Sequence, residues 1–324
     1  MLTISVIGAA IGQLTFCFCT SAFTFILARA MTGCFSGGHV INSMSYFAEI
    51  GGLEKRNRNL AVHVVSSTMF MAMGYLVGGL LGNISFYLTF GVQVGILLIC
   101  GATLLPLVGE SPGYPAEKEA AATATPSISL RRVLTPLLLL SLLLTVAVTI
   151  GTNLFDEAFN YYLSKNLFFL PSQIGAVRAG VGLLGLSGYF LICRPLLKSN
   201  FLRQAQAATY TGCILSLVLV ITSQSLPSFL SGAMIYFFCN SVANSLLQVS
   251  VVGSTRPENL GTVAGIFQSS KTLGSVIGSL ASGFAYTFSP RFPFLLSVFV
   301  FVASLILVTA SIWLAKRNLN INFI

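Results

Sequence analysis

Charged side chains inside hydrophobic stretches are the groups in this chain with chemistry to offer. Each costs roughly 2.5–3.5 kcal/mol to place at the centre of a membrane helix, so each needs a reason. Of the eight acids, only Asp156 and Glu157, in TNLFDEAFNYYL, lie well inside a hydrophobic segment. A carboxyl in a low-dielectric setting can take up and release a proton. Either these two carry protons across the membrane, or they lie near the outer end of their helix and are hydrated. Three cations have comparable depth: Arg29 in RAMTG, Arg178 in IGAVRAGVG and Lys271 in FQSSKTLG. Arg29 either holds an anionic group or tunes a carboxyl from the cavity side, or it snorkels to the headgroups. Lys271 is the more central of the second pair, and it is either a site amine or the structural partner of another group. His39, Asn42 and Ser43 form a small polar stripe at helical spacing, for which hydrogen bonding between helices is favoured over proton shuttling.

The elements that hold these groups are membrane helices. The chain has 324 residues, of which 55% are hydrophobic and 8% charged, with a mean hydropathy of +0.88. A soluble domain carries about 25% charged residues. The net charge of +9 does not indicate nucleic acid, because the basic residues fall between apolar runs rather than on one patch. With about 20 apolar residues needed per crossing, ten spans are expected, near 2–20, 22–48, 60–81, 84–108, 134–163, 171–195, 205–223, 227–250, 260–286 and 291–315. Their unbroken length argues for helices over the ten-residue alternating segments of a barrel.

Charge placement sets the orientation. One set of loops and the C-terminal tail hold Lys55, Arg56, Arg58, Lys118, Arg131, Arg132, Arg194, Lys198, Arg203, Arg256, Lys316 and Arg317; the opposite set holds Lys165 and Arg291. Twelve against two puts the first set, and both termini, in the cytoplasm. Residues 109–132 read as a cytoplasmic linker rich in Pro, Ala, Thr and Glu, separating an N-terminal bundle (1–108, four spans) from a C-terminal one (133–324, six spans). The first residues lack a basic n-region, so no cleaved signal peptide is expected. The seven cysteines show no CxxC spacing and read as small core residues, with no metal or disulfide framework.

The sequence repeats itself at an offset of 200. Arg56, Asn59 and Leu60 match Arg256, Asn259 and Leu260, and Gly74, Gly78 and Leu80 match Gly274, Gly278 and Leu280. Each copy reads as a basic cytoplasmic hinge followed by a helix with glycines four apart, a groove in which another helix can come close. Two parallel copies joined by a cytoplasmic linker describe a transporter whose halves rock about a midplane site.

On these residues the chain resembles the major facilitator superfamily. The matching stretches are R-A-M-T-G (Arg29, Gly33), S-Y-F-A-E-I (Tyr46, Glu49), E-K-R (Arg56), the glycine helix Gly74–Gly82, and G-E-S-P (Glu110 to Pro112). The resemblance covers essentially the whole chain and starts at the family's third span, so the first two spans of the family's twelve are expected to be absent. It implies that Arg29 corresponds to a fourth-helix arginine associated with proton coupling in drug/proton antiporters. It also implies that Asn160 and Tyr161, with Tyr162, border the substrate path; Glu49, Arg56 and Arg256 read as cytoplasmic contacts between helices that latch the halves in one state. Gly79 stands where the antiporter motif has proline, leaving any bend there to glycine flexibility.

The expected protein is therefore an all-α, polytopic transporter of a small organic solute working by alternating access, with proton-coupled drug or metabolite export as one form. A sugar or organic-ion facilitator or symporter is the alternative, and a non-transporting sensor or partner protein the third reading. The expected partners are the lipid bilayer, the solute and a proton or other coupling ion, with no nucleic acid. A monomer is expected in the plasma or bacterial inner membrane, without cofactor or bound metal. No P-loop, metal-ligand cluster or G-x-S-x-G suggests an enzyme.

Overall fold

The apolar runs fold as helices throughout the described residues of the computed structural model, which are 2–49, 52–107, 136–196, 201–252 and 260–321. A helix satisfies its backbone polar groups within one segment, as the hydrocarbon interior demands. In chain order the helices are α1 (Leu2–Cys17), α2 (Ala22–Glu49), α3 (Gly52–Ile84), α4 (Phe86–Leu107), α5 (Pro136–Lys165), α6 (Pro171–Gly188), α7 (Leu202–Thr222), α8 (Leu226–Val252), α9 (Leu260–Phe288) and α10 (Phe292–Ile321). Seven segments, in α3 to α8 and α10, are long and apolar enough to cross a membrane by length and composition. The apolar α1 is shorter, and the glycine-, serine- and charge-bearing α2 and α9 fall outside that set. Among the described residues every regular element is a helix, as in a multi-pass membrane protein. The linker at 109–132 lies outside the described residues.

Two local features depart from the expected spans. The basic stretch expected as a hinge before the third span is helical: α3 begins at Gly52 and carries Glu54, Lys55, Arg56 and Arg58 in its first turns. Glu, Lys, Arg and Leu are strong helix formers, so the helix runs on past the apolar run. Further along, α6 continues into a π-helical turn, Tyr189–Cys193, and a short turn Arg194–Leu196. Pro195 lacks the N–H that would bond the carbonyl of Leu191, which favours the wider turn just before it. Cys193 is fully buried there against Val242 and Leu246 of α8. The other cysteines divide: Cys213 is buried, whereas Cys34 and Cys100 are exposed, so the expectation of seven core cysteines holds for only part of the set.

The chain packs as two compact units: Met1–Pro126 with Leu170–Ala179, and Ser127–Phe169 with Gly180–Ile324. In the first, α1 packs on α2 and α4, and α3 on α2 and α4. Its buried apolar residues are small (Val6, Ala9, Ala10, Ala28, Ala72 and Val94), with Phe16 gathering Phe25 and Phe90 at ring distances of 5.0 and 5.2 Å. In the second unit α5 packs on α9 and α10, while α7 packs on α8 and α10. All of the largest fully buried side chains belong to this unit. Phe155 at its centre meets Tyr236 at 4.1 Å and Phe237 and Phe294 at 5.3 Å. Arg291, just before α10, donates to the carbonyls of Ile221 and Ser223 at the end of α7, both at 3.0 Å.

Candidate functional site

Small residues let α9 lie directly on α5. A β-carbon built on Gly274 would stand 2.7 Å from the Val146 carbonyl oxygen, and one on Gly278 2.6 Å from that of Ile150. The Ser282 hydroxyl donates to the Leu154 carbonyl at 3.0 Å. These three contacts share one offset, 128 residues, so the two helices run in the same direction in constant register.

Polar groups follow this seam. The Ser275 hydroxyl donates to Asn153 Oδ1 at 3.0 Å, and the Asn153 amide donates to the Thr149 carbonyl at 2.9 Å. On the α8 side, the Thr152 hydroxyl donates to Asn240 Oδ1, and the Asn244 amide donates to the same oxygen, both at 3.1 Å. Thr149, Asn153, Asp156 and Asn160 recur every three or four residues and so share one strip of α5. Asp156 is half-buried, as is Asn160, whereas the neighbouring Glu157, about 100° around the helix, is exposed. Tyr161 is exposed with its ring edge-on to Tyr286 at 4.8 Å, and Tyr286 donates its hydroxyl proton to Asn166. Lys271 is half-buried on α9, with Nζ 5.8 Å from the centroid of the buried Phe267 ring. The second unit thus carries Asp156 and Asn160 on α5 and, at a different level, Lys271 on the adjoining α9. Asn153, Ser275 and Asn240 complete the seam and were not singled out from sequence, although Thr149–Asn153 and Asn240–Asn244 at spacing four were a readable signal.

The first unit's candidates are more dispersed. Arg29 is exposed and stacks its guanidinium 4.3 Å from the Phe16 ring centroid, which holds it by cation–π attraction. Of the polar stripe on α2, Asn42 makes the link between helices, its amide donating to Ser5 Oγ at 3.3 Å, while Ser43 bonds back to the Val40 carbonyl. His39 makes no such link: its Nδ1 is buried without a hydrogen-bond partner. Arg178 is buried in the first part of α6 and engaged there.

The paired glycines of α3 behave unlike their copies in α9. A β-carbon on Gly74 or Gly78 would meet nothing within 4 Å among the described residues. The close crossing moves to Gly79, where a β-carbon would stand 2.6 Å from the Pro171 carbonyl oxygen and 3.0 Å from Gly175 Cα. Asn83 fastens this crossing, donating to Ser172 Oγ at 2.7 Å and accepting from the Ser172 N–H at 3.1 Å. Gly79 therefore serves contact; a proline ring there would overlap the α6 backbone. Glu49 ends α2 and Arg56 lies near the start of α3, but their side chains, like Arg256 altogether, fall outside the described residues.

Comparison with known proteins agrees with this architecture. The family model described as Major Facilitator Superfamily matches residues 1–221. The fold is similar to that of the human organic anion transporter MFSD10 (TETRAN), with TM-score 0.60 and 18% identity over 95% of this chain and 76% of that one. It is also similar to a bacterial homologue of the human lysosomal transporter Spinster in an inward-facing, occupied conformation, with TM-score 0.71 and 13% identity over 96% of this chain and 81% of that one. A search of curated proteins gave no match. With two thirds of its length matched by the family model and an all-helical fold shared with two transporters, this chain belongs to the major facilitator superfamily of membrane transporters.

Proposed function

We propose that the protein is a secondary active transporter of a small organic solute, driven by an ion gradient through alternating access, with its C-terminus in the cytoplasm of a plasma or bacterial inner membrane. The observation that carries this reading is the polar strip Thr149–Asn153–Asp156–Asn160 along α5, a helix otherwise apolar enough to span. A carboxyl in a spanning helix is costly to place, and a role in moving a proton is a reason for one to stand there. Asp156 is the proton carrier in this scheme because it is half-buried on the strip, whereas Glu157 lies exposed off it. Arg29, His39 and Asn42 supply polar groups on the first unit, and Glu49, Arg56 and Arg256 bias the equilibrium between states from the cytoplasmic side.

The test is flux of a panel of amphiphiles into proteoliposomes with and without an imposed pH gradient. Asp156→Asn is expected to abolish the gradient-dependent part, at least about tenfold, the loss typical of removing a positioned proton-transfer group. Glu157→Gln should leave it within about twofold, since exposed positions change little. Flux that ignores both the gradient and Asp156→Asn would make the protein a facilitator. No flux from folded protein would end the transport reading.

A further inference from the structure

Among the described residues, Lys271 is a cation with no anion beside it. The α5–α9 register places residue 284 level with Asp156, so Lys271 lies 13 residues lower, about 20 Å along the helix axis. That distance excludes an ion pair with Asp156 or Glu157, the only acids inside the hydrophobic segments. The remaining six (Glu49, Glu54, Glu110, Glu117, Glu119 and Glu258) fall at helix ends or in connecting segments of the sequence. Lys271 itself is 11 residues into α9 from Leu260, about 16 Å from that end. Its one described contact is the face of Phe267, one turn below. Ser275, one turn above on the same side of α9, is tied to Asn153. A half-buried lysine between an aromatic ring and a hydroxyl–amide pair is left with a charge that calls for an anion.

We propose that Lys271 binds the negatively charged head of the transported solute, a small organic monoanion such as a carboxylate or sulfonate. This rests on the transport reading above and specifies its substrate class. The ammonium donates to the anionic oxygens, and a charged hydrogen bond in a site drawn away from water is worth far more than one at a surface. The same charge repels organic cations, so selectivity arises from one residue.

Proteoliposomes carrying the full chain would be assayed with size-matched, permanently charged aryl sulfonates and aryl trimethylammonium ions, comparing wild type with Lys271→Gln and Lys271→Arg. Wild type is expected to move sulfonates in preference. Lys271→Gln should lower sulfonate flux by about tenfold or more while leaving ammonium flux unchanged or raised, and Lys271→Arg should keep most of it. Tryptophan or probe-fluorescence titration of sulfonate binding in detergent, on variants eluting as monodisperse peaks, separates lost binding from lost folding. Equal loss for both ion classes, unchanged sulfonate flux in Lys271→Gln, or a wild type that moves only ammonium ions would each overturn the proposal while leaving transport intact. A wild type that moves neither ion nor any neutral solute would remove the transport reading together with it.

Discussion

The glycine helices α3 and α9 are two copies of one sequence design in different surroundings. In α9, Gly274 and Gly278 press against the backbone of α5. In α3, the matching Gly74 and Gly78 face open space among the described residues, and the neighbouring Gly79 makes the close crossing instead. The units differ in the same sense: the second holds the large buried aromatics, while the first is cored by alanine and valine. A repeated motif thus preserves the capacity for close packing, but the partner across the groove determines whether that capacity is used.

Leucine substitutions exploit this contrast most directly. Gly278→Leu drives a side chain into the Ile150 carbonyl and is expected to remove most folded protein, a penalty of about 3 kcal/mol or more from overpacking against backbone. Gly78→Leu should leave yield and thermal stability unchanged or slightly raised, since glycine in a helix interior is worse than other residues by about 1 kcal/mol. Fluorescence-detected size-exclusion chromatography with a heating step reads both. Equal loss in the two variants would mean that a helix covers this face of α3, and the contrast between the copies would vanish.

A loss of comparable size or slightly less is expected at the crossing that replaced it. Gly79→Pro restores the residue of the antiporter motif, yet its ring would collide with the Pro171 carbonyl and break one α3 hydrogen bond. A loss of about 3 kcal/mol, spread over a helix that can bend, should lower the melting midpoint without abolishing expression. If the variant is as stable as wild type, the tight α3–α6 contact is wrong. Least of all, Ser282→Ala removes the hydroxyl tie from α9 to the Leu154 carbonyl, which should cost roughly 0.5–1 kcal/mol and move the midpoint by a degree or two.

Sequence alone was enough for the membrane-helix class and the family, because hydropathy and charge position are local properties. It did not distinguish Asp156 from Glu157: adjacent residues share depth and differ only in which neighbour they face. Nor did it explain Gly79, read as a missing proline, since the explanation is the backbone of Pro171 and Gly175 some 90 residues away. The stripe at His39, Asn42 and Ser43 was visible as a pattern, yet only Asn42 reaches another helix. The basic start of α3 reads as a hinge because its charges end the apolar run, although the same residues favour helix.

Arg291 bears on how the chain chooses its orientation during insertion. Its guanidinium is held by the last carbonyls of α7, where the helix dipole is negative. Once folded, it behaves as part of a helix cap rather than as a mobile charge near the lipid headgroups. On the proposed orientation, Lys165 is then the loop cation left to the outer side among the described residues, and the electrostatic asymmetry across the membrane is steeper than a count of loop residues suggests.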